Sequence, residues 1–287
     1  LIETSRLGLQ SPAVLIALLV GVIALTAFIV VEASVPHPMM PLRLFRSRTF
    51  SGANLLTLFL YAALSGTLFF LPLNLIQVQR YTPTAAGAAL LPFILIVFLL
   101  SRWSGGLVKR YGSRLPLVIG PIIAAGGYVL FIRPSVGGSY WTDFFPAMFV
   151  LGLGMAISVA PLTTTVMNSV TQSRAGIASG VNNAVSRTAG LLAIAVLGLV
   201  MVQSFNRSFD RNLDQIAVSA EVRRTLETER SKLAAAEIPS EVNEETRVAI
   251  KQSINASFIS GFRIVMLAGA LLALLSSLSA WFMIRKG

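Results

Sequence analysis

Asn54, Tyr61, Ser65 and Pro72 recur at spacings of seven, four and seven residues, so on a helix they share one face. Ser158, Pro161, Thr165 and Asn168 share a face in the same way further along the chain. Amide and hydroxyl groups set among Phe69, Phe70 and Met155 would hold bulky amphipathic cations or neutral compounds through broad apolar contact and a few polar fixes. Pro161 is expected to open its helix locally. The chemistry on offer is binding, and helix packing is the plainer reading of each residue, because Ser, Thr and Asn also hydrogen-bond between membrane helices for about 1 kcal/mol or less.

Nothing in the sequence points to catalysis. No paired carboxylates stand in an apolar setting, and no phosphate-binding loop follows a strand. The single His37, between Pro36 and Pro38, reads as a loop residue and cannot build a metal cluster. The absence of cysteine excludes disulfides and thiolate metal sites. Neither a cofactor nor a metal is expected.

The elements that must position these residues are seven apolar stretches, each close to twenty residues or longer, with short Arg-bearing connections. A helix needs about 20 apolar residues to cross a hydrocarbon core roughly 30 Å thick, and only helices or closed barrels satisfy every backbone group in lipid. These runs are too long and continuous for barrel strands. With 55% apolar and 12% charged residues among 287, too little polar surface remains for a soluble globule. The expected fold is an all-α integral membrane protein with spans at about Pro12–Ser34, Ser51–Gln77, Thr84–Val108, Leu115–Ile132, Thr142–Val166, Ala178–Phe205 and Phe258–Ile284. The segment Leu1 to Gln10 lacks the pattern of a signal peptide and reads as the end of a loop whose upstream part is missing.

Charge sets the expected direction. The connections after spans one, three and five, with the C-terminal end, hold Arg43, Arg46, Arg48, Arg102, Lys109, Arg110, Arg114, Arg174, Arg285 and Lys286, and are read as cytoplasmic. The opposite short loops offer only Arg6, Arg80 and Arg133. The start of the chain is therefore expected outside and the C-terminus inside, with Trp103 and Trp281 near the inner interface and Trp141 near the outer one. The net charge of +11 reports this orientation rather than nucleic acid, which is not expected as a partner. Asn206 to Asn255 breaks the pattern with most of the acidic residues, including Asp210, Asp214, Glu227 and Glu229, interleaved with eight basic ones. It reads as a solvated helical hairpin outside the membrane, with a narrow stripe of Val222, Leu226 and Leu233 and a helix start at Ser240. Asn206-Arg207-Ser208 and Asn255-Ala256-Ser257 match the glycosylation sequon.

Charges within spans are few. Arg187 lies among Asn183, Ser186 and Gly190 and should sit inside the inner half of the membrane or just under its surface, where a charge needs a partner. It is either a gate contact that changes partner or a structural Arg bonded to carbonyls at a neighbouring helix end. Gly176, Gly180 and Ala184, four apart, are expected to let a neighbouring helix approach closely. Arg263 reads as a snorkelling anchor, Glu32 as a helix-end residue reaching the interface, and Asp143 lies at the outer end of span five.

The loop after span three reads Gly105-Gly106-Leu107-Val108-Lys109-Arg110-Tyr111-Gly112-Ser113-Arg114, in which glycines allow a tight turn and cations meet helix C-termini. Its Gly106, Arg110, Gly112 and Arg114 resemble the signature loop of the major facilitator superfamily, although Lys109 stands where that motif usually has an acidic residue. Pro41-Leu42-Arg43-Leu44-Phe45-Arg46-Ser47-Arg48-Thr49-Phe50, Thr82-Pro83-Thr84-Ala85-Ala86-Gly87 with Leu90-Leu91-Pro92, and Arg174-Ala175-Gly176-Ile177-Ala178-Ser179-Gly180-Val181-Asn182-Asn183 look like the fourteen-span drug:proton antiporter branch. The resemblance implies that residues 1–49 are the last extra central helix and a cytoplasmic linker, and that residues 50–287 are the C-terminal six-helix domain with an extracytoplasmic loop at 206–255. It further implies a gate built on Gly106, Arg110, Gly112, Arg114 and Arg187, a multi-pass cell-membrane location, and amphipathic or cationic drug-like substrates exchanged for protons. The coupling groups of that branch belong largely to the N-terminal half. An exporter of another small molecule, such as a siderophore, lipid or metabolite, and a non-transporting remnant or accessory subunit stay open as alternatives.

Overall fold

Every stretch that reads as a span is helical. The computed structural model describes residues 11–35, 38–216, 218–239 and 241–285. His37, Ser240, Lys286 and the loop containing Arg6 lie outside the described residues. The α-helices are α1 (Pro12–Ser34), α2 (Arg48–Leu73), α3 (Pro83–Ala88), α4 (Leu91–Tyr111), α5 (Arg114–Leu130), α6 (Phe145–Asn168), α7 (Ala175–Leu213), α8 (Ala220–Glu229) and α9 (Glu244–Met283). A π turn at Asn74–Val78 prolongs α2, and another at Tyr140–Phe144 leads into α6. Six helical units are long and apolar enough to cross a membrane, whereas Arg114–Leu130, where the fourth of seven spans is expected, is a shorter apolar helix of 17 residues.

Local sequence sets several helix ends. Ser47 accepts a hydrogen bond from the Phe50 N–H, Thr82 from that of Ala85, and Asn243 from that of Thr246, each satisfying an amide that has no partner within its helix. The expected start at Ser240 thus moves to Asn243, with Glu244 and Glu245 following in the first turn, where carboxylates complement the helix dipole.

Packing is dominated by pairs among α2, α4, α5, α6, α7 and α9, while α1 makes no extensive contact with any of them. Among the described side chains of α1 only Val14 and Glu32 are buried, so its apolar sides meet lipid. Glu32 does not reach outward as expected. It is buried and accepts a hydrogen bond from the Met40 N–H at 2.9 Å, so its carboxylate satisfies the Pro-rich linker.

The tightest crossing is between α5 and α6. A Cβ built on Gly127 would stand 2.6 Å from the Leu151 backbone nitrogen, and one on Gly154 would stand 2.7 Å from Ala124 Cα. Small residues at such a crossing let two backbones approach, which is what drives association in lipid. The stripe at Gly176, Gly180 and Ala184 has no such role within this chain: a Cβ on either glycine meets nothing within 4 Å, and Ala184 is exposed.

The charged segment is also more ordered than a loop. Phe205, Phe209 and Leu213 on α7, and Ile250, Ile254 and Phe258 on α9, recur every four residues and are all nearly fully buried. That apolar seam carries both helices beyond the stretches expected to span, and Asn212 Nδ2 donates to Ser257 Oγ across it at 3.1 Å. Leu226 is buried and Val222 and Leu233 pack against the same core, as the expected stripe requires. Asn255 lies buried in this seam, which removes it as a modification site.

Gly154→Ala should lower stability by about 1–3 kcal/mol, because backbone atoms cannot yield to the new methyl, whereas Gly180→Ala should stay within about 0.5 kcal/mol of wild type. Thermal melting of the two purified variants compares them directly. A Gly154→Ala protein that melts with Gly180→Ala contradicts the packing described.

Candidate functional site

The end of the bundle that gathers Arg43, Arg174 and the α4–α5 turn is here called the basic end, and the opposite one the hairpin end. Near the basic end, α2 and α7 share a buried polar cluster. Asn182 Nδ2 donates to Asn54 Oδ1 at 3.1 Å and to Thr57 Oγ1 at 2.6 Å, while Asn54 Nδ2 donates to the Phe50 carbonyl at 2.9 Å. Asn54 and Thr57 are buried in the α2–α7 contact. Thr57 and Asn182 belong with Asn54 as much as the residues on its own face do. Their signal is weak, because a Thr three residues after an Asn is ordinary in a membrane helix and only the pairing with α7 brings Asn182 across.

The other residues of the α2 face have plainer neighbours. Tyr61 is half-buried and packs against the core, Ser65 Oγ stands 2.8 Å from the position of a Cβ on Gly190, and Pro72 is half-buried near the end of α2. On α6, Ser158 donates to the Gly154 carbonyl at 2.7 Å and Thr165 to that of Pro161 at 2.7 Å, both buried. Pro161 is buried within an uninterrupted helix, so the local opening expected there is absent: α6 runs unbroken from Phe145 to Asn168. Asn168, exposed at the end of α6, lines a cleft of about 390 Å³ at the basic end together with Arg43, Ser47, Thr171 and Arg174. The structure therefore joins Asn54 to α7, buries Ser158, Pro161 and Thr165 in helix packing, and separates Asn168 from both.

The glycine-and-cation segment is mostly helix. Gly105 and Gly106 lie inside α4, and the turn into α5 is made at Gly112, whose φ of 73° and ψ of 172° suit a residue without Cβ. Lys109 and Arg110 occupy the last turn of α4, where cations complement the helix dipole. Arg114 opens α5 with its guanidinium 4.3 Å from the centre of the Trp281 ring, which ties the start of α5 to the end of α9.

Arg187 is exposed on α7 and makes no hydrogen bond or ion pair among the described residues. Asn183 and Thr188 are exposed beside it, on the open side of the helix that also holds Gly180 and Ala184. The role of a structural Arg bonded to a neighbouring connection falls instead to Arg263, which donates to the Pro134 carbonyl at 3.2 Å. α7 thus presents a polar, positively charged strip with no cover from the described residues.

Comparison with known proteins places the chain. Residues 4–194 match the family model described as Major Facilitator Superfamily. The lincomycin resistance protein of Streptomyces lincolnensis is 33% identical over 195 residues, covering 67% of this chain and 40% of that protein. The multidrug resistance protein Stp of Mycobacterium tuberculosis is 29% identical over 219 residues, covering 75% of this chain and 40% of its own length. This chain thus spans about 40% of the length of these curated relatives. A crystal structure of a bacterial homolog to the human lysosomal transporter Spinster, in an inward-facing and occupied conformation, shares the fold with a TM-score of 0.64 at 17% identity, over 84% of this chain and 50% of that one. The chain is a multi-pass membrane protein that belongs to the Major Facilitator Superfamily, a family of transporters rather than enzymes.

Proposed function

We propose that this chain is the C-terminal part of a proton-coupled exporter of amphipathic or cationic drug-like compounds that works by alternating access. The observation that carries the reading is the strip on α7. A membrane helix that leaves Arg187 without a partner beside exposed Asn183 and Thr188 is costly against lipid and economical against a water-filled path or a second bundle. Gly180 and Ala184 on the same side give such a bundle room to approach. The resistance proteins among the relatives supply the substrate class, and their greater length is consistent with a further half that faces this strip and holds the proton-coupling groups.

In this reading residues 1–49 are the last extra central helix and its linker, and residues 50–287 form the six-helix domain of a fourteen-span protein. α5 makes the fourth of seven crossings in this reading. Its start is tied to the end of α9 through Arg114 and Trp281, and the connection after it is tied to the far end of α2, where Gln79 Nε2 donates to the Ser135 carbonyl at 2.9 Å and Gln79 Oε1 accepts from the Gly137 N–H. A helix so anchored traverses the same thickness as α2. The basic end faces the cytoplasm and the hairpin end faces outward, a direction supported by the excess of arginines in the short connections of the basic end. The α4–α5 turn and Arg187 form the inner gate, and the α2 face from Asn54 to Ser65 forms part of one cavity wall.

Cells producing the protein should accumulate less of a fluorescent amphipathic cation than cells without it, and a proton uncoupler should erase the difference. Unchanged accumulation across a broad substrate panel sinks the proposal, and a metabolite or lipid among the compounds moved would redirect it to another export substrate. Arg187→Ala should reduce efflux about tenfold, the scale of a lost interdomain coupling, with membrane abundance unaltered because no described residue bonds that guanidinium. Parallel loss of abundance and efflux would instead assign Arg187 to structure.

A further inference from the structure

A cavity at the hairpin end shares no residue with the Asn54 cluster or the α7 strip. It encloses about 580 Å³ where α2 and α7 meet the segment running from Glu227 to Leu233. Its floor is apolar, built from Phe69, Phe70 and Leu73 on α2 with Ile194, Leu199 and Val202 on α7. Its roof is charged. Arg230 is ion-paired with Asp210, and Lys232 with Glu229 at 2.8 Å. The Lys232 ammonium, helped by the Glu237 N–H, holds the Glu229 carboxyl below its ordinary range. Glu227 makes no ion pair among the described residues, so its carboxylate stands free at the rim.

Two buried amides point the same way. Gln77, from the π turn that ends α2, and Asn206, on α7, both line the cavity, and Gln77 Oε1 and Asn206 Oδ1 are buried without a hydrogen-bond donor. Buried acceptors are almost always paired, and one left bare is stabilised by any donor that reaches it. Leu233, also on the wall, is held at φ 55° and ψ −124°, a backbone conformation that a branched side chain adopts only under constraint and that gathers at ligand sites. An apolar floor, two donor-seeking carbonyls and a free carboxylate describe one ligand chemistry. A phosphate headgroup would meet the wrong charge at Glu227, and a plain hydrocarbon would leave both amides bare.

We propose that this cavity binds amphipathic protonated amines, with the ammonium N–H groups donating to Gln77 and Asn206, the charge facing Glu227 and the apolar body lying against Phe69 and Phe70. The site rests on the export reading for its purpose, as a holding place at the outer end of the path, and it narrows the substrate class. A quaternary ammonium offers charge and bulk but no N–H, so the site distinguishes it from an amine of the same shape.

The test is direct binding to the purified protein in lipid nanodiscs, using a fluorescent aromatic probe with a primary amine side chain and its N,N,N-trimethyl quaternary analogue, at a pH where the amine is protonated. The amine should bind about tenfold more tightly, the scale of a hydrogen bond to a charged donor. The double variant Gln77→Leu, Asn206→Leu should bind the two probes alike. Glu227→Gln, an exposed and conservative change that leaves the fold intact, should weaken both. Equal affinities in the wild type, or a preference that survives the double variant, would overturn the proposal. Because binding needs no turnover, a protein that extrudes cations without this preference keeps the export reading and loses the site. One that binds with the preference but extrudes nothing keeps the site and loses the export reading.

Discussion

The approach of α5 to α6 is the constraint on which the rest of this bundle depends. Lipid supplies no hydrophobic drive between helices, so association falls to close packing and the occasional hydrogen bond. Gly154 lies so near Ala124, and Gly127 so near Leu151, that no other side chain fits at either place. With those two helices locked, α4 packs on the outer side of α6 and α9 on α5, and α9 in turn holds α2 and α7. Ser158, set against Gly120 in the same crossing, turns its hydroxyl to its own helix rather than to any ligand. A polar residue on a membrane helix is therefore no guide to the binding path unless its neighbours are known.

That is also why the fold was far more legible than the site. Helix existence follows from the need to satisfy every backbone group in lipid, which only length and apolarity are required to reveal. α1 runs over Pro12–Ser34 as its sequence suggests. The errors lie where a second helix decides. The glycines at 176 and 180 look like a packing stripe and have nothing packed on them, whereas Gly120 and Gly127, seven apart on α5, and Gly154 on α6 make the closest contacts with backbone. Arg187 looked in need of a neighbouring carbonyl, and it is Arg263 that has one. The helices also run farther than hydropathy indicates, because Phe205, Phe209 and Leu213 prolong the seam with α9 among charged residues that lower any window average.

The two ends of the bundle differ in chemistry as well as charge. At the basic end, Arg43 and Arg174 border a cleft with no acidic residue among its lining. At the hairpin end, Arg230 is paired with Asp210 and Lys232 with Glu229 over an apolar hollow whose rim also holds Glu227. Between them α7 runs as a single helix, with the Asn54–Thr57–Asn182 cluster on its covered side and Arg187 on its open side. A helix that is bonded on one side and bare on the other is suited to form the wall of a path whose opposite wall moves.

The most direct measurement of that claim uses the absence of cysteine from these 287 residues, with any cysteine elsewhere in the intact protein replaced by serine. Single cysteines placed at Gly180, Asn183 and Ala184 of α7, and at Leu271 on the exposed face of α9, would be exposed to a small charged thiol reagent in membranes holding the intact protein. The account predicts rapid reaction at the α7 positions, slowed by a transported amine, and inertness at Leu271, which faces lipid. If the α7 positions are as inert as Leu271, the strip is sealed and lines no path.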